Sequence, residues 1–201
     1  VYTRFSIQLK IAETLRHRNI VENVTVDDVT CVAIESDAFF DTLHFRITAS
    51  ATDYYIDTKT SKRIGFRPTQ EAFVEYWSFV RKPGAQTISG KGLAEGYCPN
   101  CGAAIKISDT GACFSCESIL STGEYDWVLS EITQQEEWTP PAQSENTLGV
   151  GEMMTKDPGF NAQRLEDHSS VVFWRVYAAR FFKDMSFLNK VADDSFITQI
   201  N

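Results

Sequence analysis

Residues 1 to 17 carry apolar side chains at helical spacing. Val1, Phe5, Ala12 and Leu15 recur along one stripe that Ile7 and Ile11 widen, and Asn19 follows as a stop signal. From Val24 the period becomes two. Val24 and Val26 share a face, the pair Asp27-Asp28 breaks the alternation, and Val29, Cys31 and Ala33 resume it. That slip predicts a β-bulge or a turn between short strands. Phe45, Ile47, Ala49 and Ala51 then alternate with His44, Arg46, Thr48 and Ser50, the pattern of a strand with one buried and one wet face. Tyr54 to Ile56 continues it, the polar run from Asp57 to Lys62 predicts a hairpin turn, and Ile64 to Phe66 begins the return.

The stretch from Phe73 to Arg81 is apolar on both sides, with Phe73, Trp77 and Phe79 opposite Val74, Tyr76 and Val80. Such a strand is central and covered on both faces, so helices are expected on this sheet and the fold class is α+β. Tyr125 to Ile132 reads as a last strand or as a strand running into a helix. Residues 133 to 162, with Pro140-Pro141 and few large apolar side chains, read as a linker and a module boundary. Leu165 to Leu188 predicts a strong helix through Val172, Val176, Ala179 and Phe182, and Asp193 to Ile200 a short second one.

Composition narrows the classes. Of 201 residues 43% are apolar, enough to bury a core. The formal net charge of -8 disfavours nonspecific nucleic-acid binding and simple adhesion to anionic lipid. No apolar run approaches the roughly 20 residues of a membrane span, and no signal segment opens the chain. Val1 begins directly in a helical pattern with no initiator Met, so upstream residues are expected, and any membrane anchor would lie outside this chain.

Four of the five cysteines form two knuckles, Cys98-Pro99-Asn100-Cys101-Gly102 and Cys113-Phe114-Ser115-Cys116, separated by eleven residues. Two residues between cysteines let a tight turn aim both thiolates at one point, and two such turns give the tetrahedron of sulfurs that Zn²⁺ prefers. Gly102 suits its turn, whereas Glu117 stands where the second knuckle calls for glycine. Four thiolates leave no position for water, so a structural Zn²⁺ bound by Cys98, Cys101, Cys113 and Cys116 is expected. A pair of disulfides and a redox CxxC are the alternatives, and neither explains two matched knuckles as well; an iron centre is the residual alternative.

The remaining candidates carry blander readings. His17, His44 and His168 are scattered and read as surface or helix-end residues. Glu166 and Asp167 beside His168 fit a helix N-terminus. Glu75 reads as the cross-strand partner of Arg46 or Arg81. Its rival role is a pocket acid, alone or with Asp53. Gly149-Val150-Gly151 lacks the preceding strand of a phosphate loop. Cys31 reads as a small buried strand residue. Phe45, Tyr54, Tyr76, Trp77 and Phe79 are ordinary core in the main, with one or two facing a pocket.

Asp53-Tyr54, then Phe73-Val74-Glu75-Tyr76-Trp77-Ser78-Phe79-Val80-Arg81, then the ribbon, then Glu124-Tyr125-Asp126-Trp127-Val128-Leu129 resemble bacterial Tim-forty-four-like proteins, relatives of the mitochondrial inner-membrane import-motor tether. The resemblance covers residues 1 to about 135. It implies a cone-shaped, bent antiparallel sheet with packed helices, like nuclear transport factor two, with a hydrophobic pocket and a small four-cysteine zinc ribbon. The domains would be 1–135, lacking its first helices and with the ribbon inserted at 96–122, a linker at 136–156, and 157–201 as the helical start of a second similar domain. Those tail helices would cover the first sheet, within the chain or by exchange in a homodimer. The implied function is a non-enzymatic, membrane-associated binding or scaffold module. It would take a lipid tail or an apolar peptide, with a protein partner and a role in protein transport, at the cytoplasmic face of a bacterial inner membrane or in the cytoplasm. The alternatives are an enzyme using a pocket carboxylate and a zinc-ribbon nucleic-acid binder. The latter ranks lowest, because Tyr97 to Ser121 holds only Lys106 as a cation and no nucleic-acid partner is expected.

Overall fold

The computed structural model describes residues 2–65, 69–86, 89–90, 92–93, 95–105, 112–141, 149–160 and 162–200. It is α+β. Helix α1 spans Tyr2–Thr14, strands β1 His17–Ser36, β2 Asp41–Asp57, β3 Arg63–Ile64, β4 Gln70–Arg81 and β5 Val128–Gln134 follow, and helices α2 Val150–Lys156, α3 Ala162–Phe182 and α4 Asp194–Ile200 close the chain. The strands form one antiparallel sheet in the order β1-β2-β4-β5, with β3 paired to β2. The doubly apolar β4 is interior, as its pattern predicts. Its register with β5 sets Trp77 opposite Ile132 and Val80 opposite Val128, with a shift between Ser78 and Phe79.

The chain divides into two compact units. The helical unit comprises Val1–Asn23, Thr52–Gln70 and Ala142–Asn201, and the sheet unit Val24–Ala51 and Glu71–Pro141. In the helical unit α1 packs on α3, and the Arg4 guanidinium lies 5.9 Å from the Trp174 ring. Ala178 and Ala179 are wholly buried, small enough for the 3-10 turn Met185–Leu188 to pack its buried Leu188 against α3. The Lys10 ammonium sits over Phe182 and Phe187, at 5.4 and 4.8 Å from the ring centres. Helix α1 ends at Thr14 rather than at His17, with Arg16 in the left-handed conformation (φ 58°).

Several expectations are corrected. Strand β1 continues through Asp27-Asp28, so no turn divides it there. The irregular backbone is at Asn23 (φ 55°), a residue type that tolerates this region, and its side-chain amide donates to Thr52 Oγ1 at 3.4 Å. Two carboxylates cost nothing in this strand because it is an edge and water reaches them. For the same reason Cys31 is exposed, not buried, and so are Val24, Val26 and Val29. His44 is buried rather than on the surface. The expected hairpin turn is present: Asp57 Oδ1 accepts from the backbone N–H groups of Lys59 and Thr60. Phe66, in its return, lies outside the described residues. Within the stretch read as a linker, Val150–Lys156 is helical, and 142–148 lie outside the described residues.

Candidate metal centre

The ribbon leaves β4 at Lys82 and rejoins the sheet at β5. Its two ends are tied together. Lys82 N–H donates to Gly123 O at 2.8 Å, and Leu93 N–H donates to Asp126 Oδ2 at 3.0 Å. Gly123 is left-handed (φ 71°), and a Cβ there would lie 3.2 Å from Val80 O, so only glycine fits. At Gly92 a Cβ would meet the movable carboxylate oxygens Glu95 Oε2, at 2.7 Å, and Asp126 Oδ2, at 2.9 Å, so this position is less confined. Trp127, next to Asp126, lies under the Arg81 guanidinium at 4.3 Å, and Arg81 also reaches Asp41 at 3.8 Å.

Each knuckle closes by the same bonds. Cys98 N–H donates to Ala103 O and Gly102 N–H to Cys98 O. In the second knuckle Cys113 N–H donates to Ser118 O and Glu117 N–H to Cys113 O. The closing residue is left-handed in both, Gly102 at φ 74° and Glu117 at φ 59°. The fold therefore imposes the glycine conformation on a glutamate. Beside the knuckles the described residues form only single bridges, Tyr97 with Ala104 and Ala112 with Ile119, and Leu120–Thr122 is a 3-10 turn. Lys106 and Ile107 lie outside the described residues.

The four sulfurs of Cys98, Cys101, Cys113 and Cys116 lie within 4.8 Å of one another. Cys98 and Cys116 approach at 3.8 Å, as do Cys101 and Cys113. A tetrahedron of thiolates about 2.3 Å from a common centre has edges of about 3.8 Å. The cluster is thus positioned to hold a metal ion, and its all-sulfur donors suit zinc. All five cysteines are free of disulfides. Cys98 and Cys113 are buried and Cys101 is exposed.

The protons of the metal-free cluster are unevenly held. The Ser118 hydroxyl and backbone N–H stabilise the Cys116 thiolate and bring its pKa down to about 6. The hydroxyl is free to do so because Ser118 Oγ itself accepts from the Asn100 amide at 2.6 Å. The N–H groups of Ser115 and Cys116 likewise lower Cys113. At Cys101 the Ala103 N–H pulls the pKa down, but the bond with Cys116, burial and the other two thiols outweigh it and raise it to about 12. Cys101 therefore holds its proton most firmly, and a cation bound among the sulfurs displaces it.

The other predicted residues are dispersed. Phe45, Trp77 and Phe79 cluster, with Phe45 edge-on to Phe79 at 5.9 Å and Trp77 6.5 Å from Phe79. Tyr76 instead stacks on Trp138 at 4.0 Å, and Tyr54, in the helical unit, lies under Arg63 at 4.8 Å. One open cavity of about 270 Å³ is lined by Thr48, Ala72, Phe73, Val74, Gln134, Gln135 and Glu136, and none of those five aromatics is among its walls. Glu75 does not pair with Arg46 or Arg81. Its carboxylate accepts from Trp77 Nε1 and Gln134 Nε2, both at 2.9 Å, because these neighbours share its strand and the partner strand. Asp53 accepts from the Asn19 amide.

Sequence reasoning missed one group. His44 lies between Ser78 Oγ, 2.8 Å from Nδ1, and Glu35 Oε2, 2.9 Å from Nε2. The three residues sit on β2, β4 and β1. They have the types of a hydrolytic triad, but Ser78 is buried, so the group reads as a polar tie across three strands. No helix among the described residues is long and apolar enough to cross a membrane. Comparison with family models, with curated proteins and with solved structures finds no match for this chain.

Proposed function

We propose that the four cysteines hold one structural zinc ion, and that the protein is a non-enzymatic binding or scaffold module of Tim-forty-four-like type. Its sheet would be the bent, cone-forming sheet of nuclear transport factor two. The observation that carries the reading is the filled donor set. Four converging thiolates leave a metal no open position, so the ion would cross-link the two knuckles rather than activate water. Glu75 and Asp53, the carboxylates an enzyme would use, are both engaged in side-chain hydrogen bonds, which also favours a binding role.

Of the two expected ligand classes, an apolar peptide segment fits better than a lipid tail. The cavity walls include Gln134, Gln135 and Glu136, and hydrocarbon against them would strip water from polar groups with no compensating bond. A peptide supplies its own N–H and C=O groups. Membrane association, if carried by this chain, belongs to the exposed aromatic residues of the helical unit.

Native mass spectrometry of the purified chain tests the proposal. One zinc per chain with a peptide-sized or lipid-sized adduct supports it and names the ligand class. One zinc with no adduct leaves a scaffold that works by its surface. A metal-free mass, lowered by the hydrogens of two disulfides, refutes the zinc centre.

A further inference from the structure

The sheet unit is far more acidic than the chain as a whole. Its segments hold five Lys and Arg against fifteen Asp and Glu, whereas the helical unit holds fourteen against twelve. Among the cations of the sheet unit, Arg81 is engaged by Asp41 and Trp127, and Lys82 by Glu124. Strand β1 is an end of the strand order, so its outer edge has no strand neighbour among the described residues. In its Val24–Ser36 part, Val24, Val26, Val29, Val32 and Ile34 are all exposed, Ile34 at 70% and Val24 and Val26 at 58% each. By strand alternation Val24, Val26, Val32 and Ile34 share one face. Asp27 and Asp28 project one to each face at the centre, and neither has a cation partner among the described residues.

A charge pair alone is a common device for blunting a free edge. Here it interrupts a long strand rich in exposed β-branched residues, which otherwise offers a free edge for pairing. We infer that the outer edge of β1, from Val24 to Ser36, is a docking site for an extended segment of a partner protein, rich in β-branched residues with adjacent cations at its centre, which adds to the sheet as a further strand. Backbone N–H and C=O groups would supply the affinity, and valine contacts the fit. The cations opposite Asp27 and Asp28 would select partner and register. A second copy of this chain fits less well, because antiparallel pairing about an axis at Asp27 or Asp28 sets carboxylate against carboxylate. The inference does not rest on the cavity or on the zinc centre.

Fluorescence anisotropy with the full chain tests it. The probe is a labelled peptide of alternating valine and threonine with a central Lys-Lys pair, compared with the same peptide carrying Glu-Glu and with a Lys-Lys peptide N-methylated along one edge. The expected result is binding of the Lys-Lys peptide, weakened at least roughly tenfold by charge reversal and by N-methylation. The Asp27→Lys/Asp28→Lys double variant, checked for fold by circular dichroism, should reverse the charge preference. Equal binding of the Lys-Lys and Glu-Glu peptides, or full binding of the N-methylated one, overturns the inference. So does sedimentation showing that the chain pairs with itself and excludes the peptide. Should the double variant misfold, the peptide comparison still decides.

Discussion

Glu117 bears the backbone conformation of a glycine, and that single mismatch is measurable. A left-handed non-glycine residue costs roughly 1–2 kcal/mol, partly offset by the greater freedom a glycine loses on folding. Glu117→Gly is therefore expected to stabilise the metal-loaded chain by about 0.5–1 kcal/mol in chemical denaturation, and unchanged or lower stability would contradict a strained knuckle. Ser118 tests the electrostatics of the same turn. Its hydroxyl and N–H hold Cys116 at about 6 against an ordinary 9.0, so the thiol is ionised at neutral pH. Ser118→Ala moves it back up, and the variant must then release an extra proton to bind metal at any pH between those values. A metal titration should show the deficit at pH 7, roughly tenfold or more, and its disappearance above pH 9. A deficit independent of pH would mean that the hydroxyl acts by packing alone. Both knuckles were legible in the sequence because their chemistry is local: two residues between cysteines dictate the turn whatever surrounds it.

At the scale of elements, the tie through Glu35, His44 and Ser78 couples three strands. Removing His44 strands a buried hydroxyl, which costs about 1–3 kcal/mol. His44→Leu is expected to destabilise by that amount, and Ser78→Ala in the same chain to recover part of it. A double-mutant cycle from denaturation curves should therefore be clearly non-additive, and additive costs would show that the residues do not act as a unit. This tie could not be read from the chain. Alternation put His44 on the wet face of its strand, and only the order β1-β2-β4 reveals that Glu35 and Ser78 flank it there. The same limit explains β1. Its period of two was legible from Val24 onward, but the period says nothing about position in a sheet, so Cys31, on the edge strand, read as buried. In β4 the apolar pattern on both sides does encode position, and its interior place followed. Asn23 shows the opposite failure: its left-handed turn has no signature beyond a residue type that tolerates it.

For the whole molecule, the net charge of -8 conceals a division that only the fold exposes. Acid is concentrated in the sheet unit, while the helical unit carries a slight excess of cations. In that unit Phe173, Tyr177 and Phe181 stand exposed at successive four-residue steps along α3. Three aromatics on one line are an insertion surface for the boundary between lipid headgroups and acyl chains. The charge of the chain nevertheless opposes approach to a negative bilayer. If the proposed membrane association is a property of this chain, insertion must supply it against electrostatics. Cosedimentation should then show binding to vesicles of zwitterionic phosphatidylcholine, and weaker binding when phosphatidylserine is added. Salt should restore the loss, since the Debye length shortens from about 30 Å at 0.01 M to about 10 Å at 0.1 M and screens the repulsion. Replacing Phe173, Tyr177 and Phe181 together by serine should abolish binding to both. The reverse ordering, with anionic vesicles bound more tightly and released by salt, would place recognition in the cations Arg175, Arg180 and Lys183. No binding to either vesicle would remove the membrane from the proposed function and leave the β1 edge and the cavity of the sheet unit as its working surfaces.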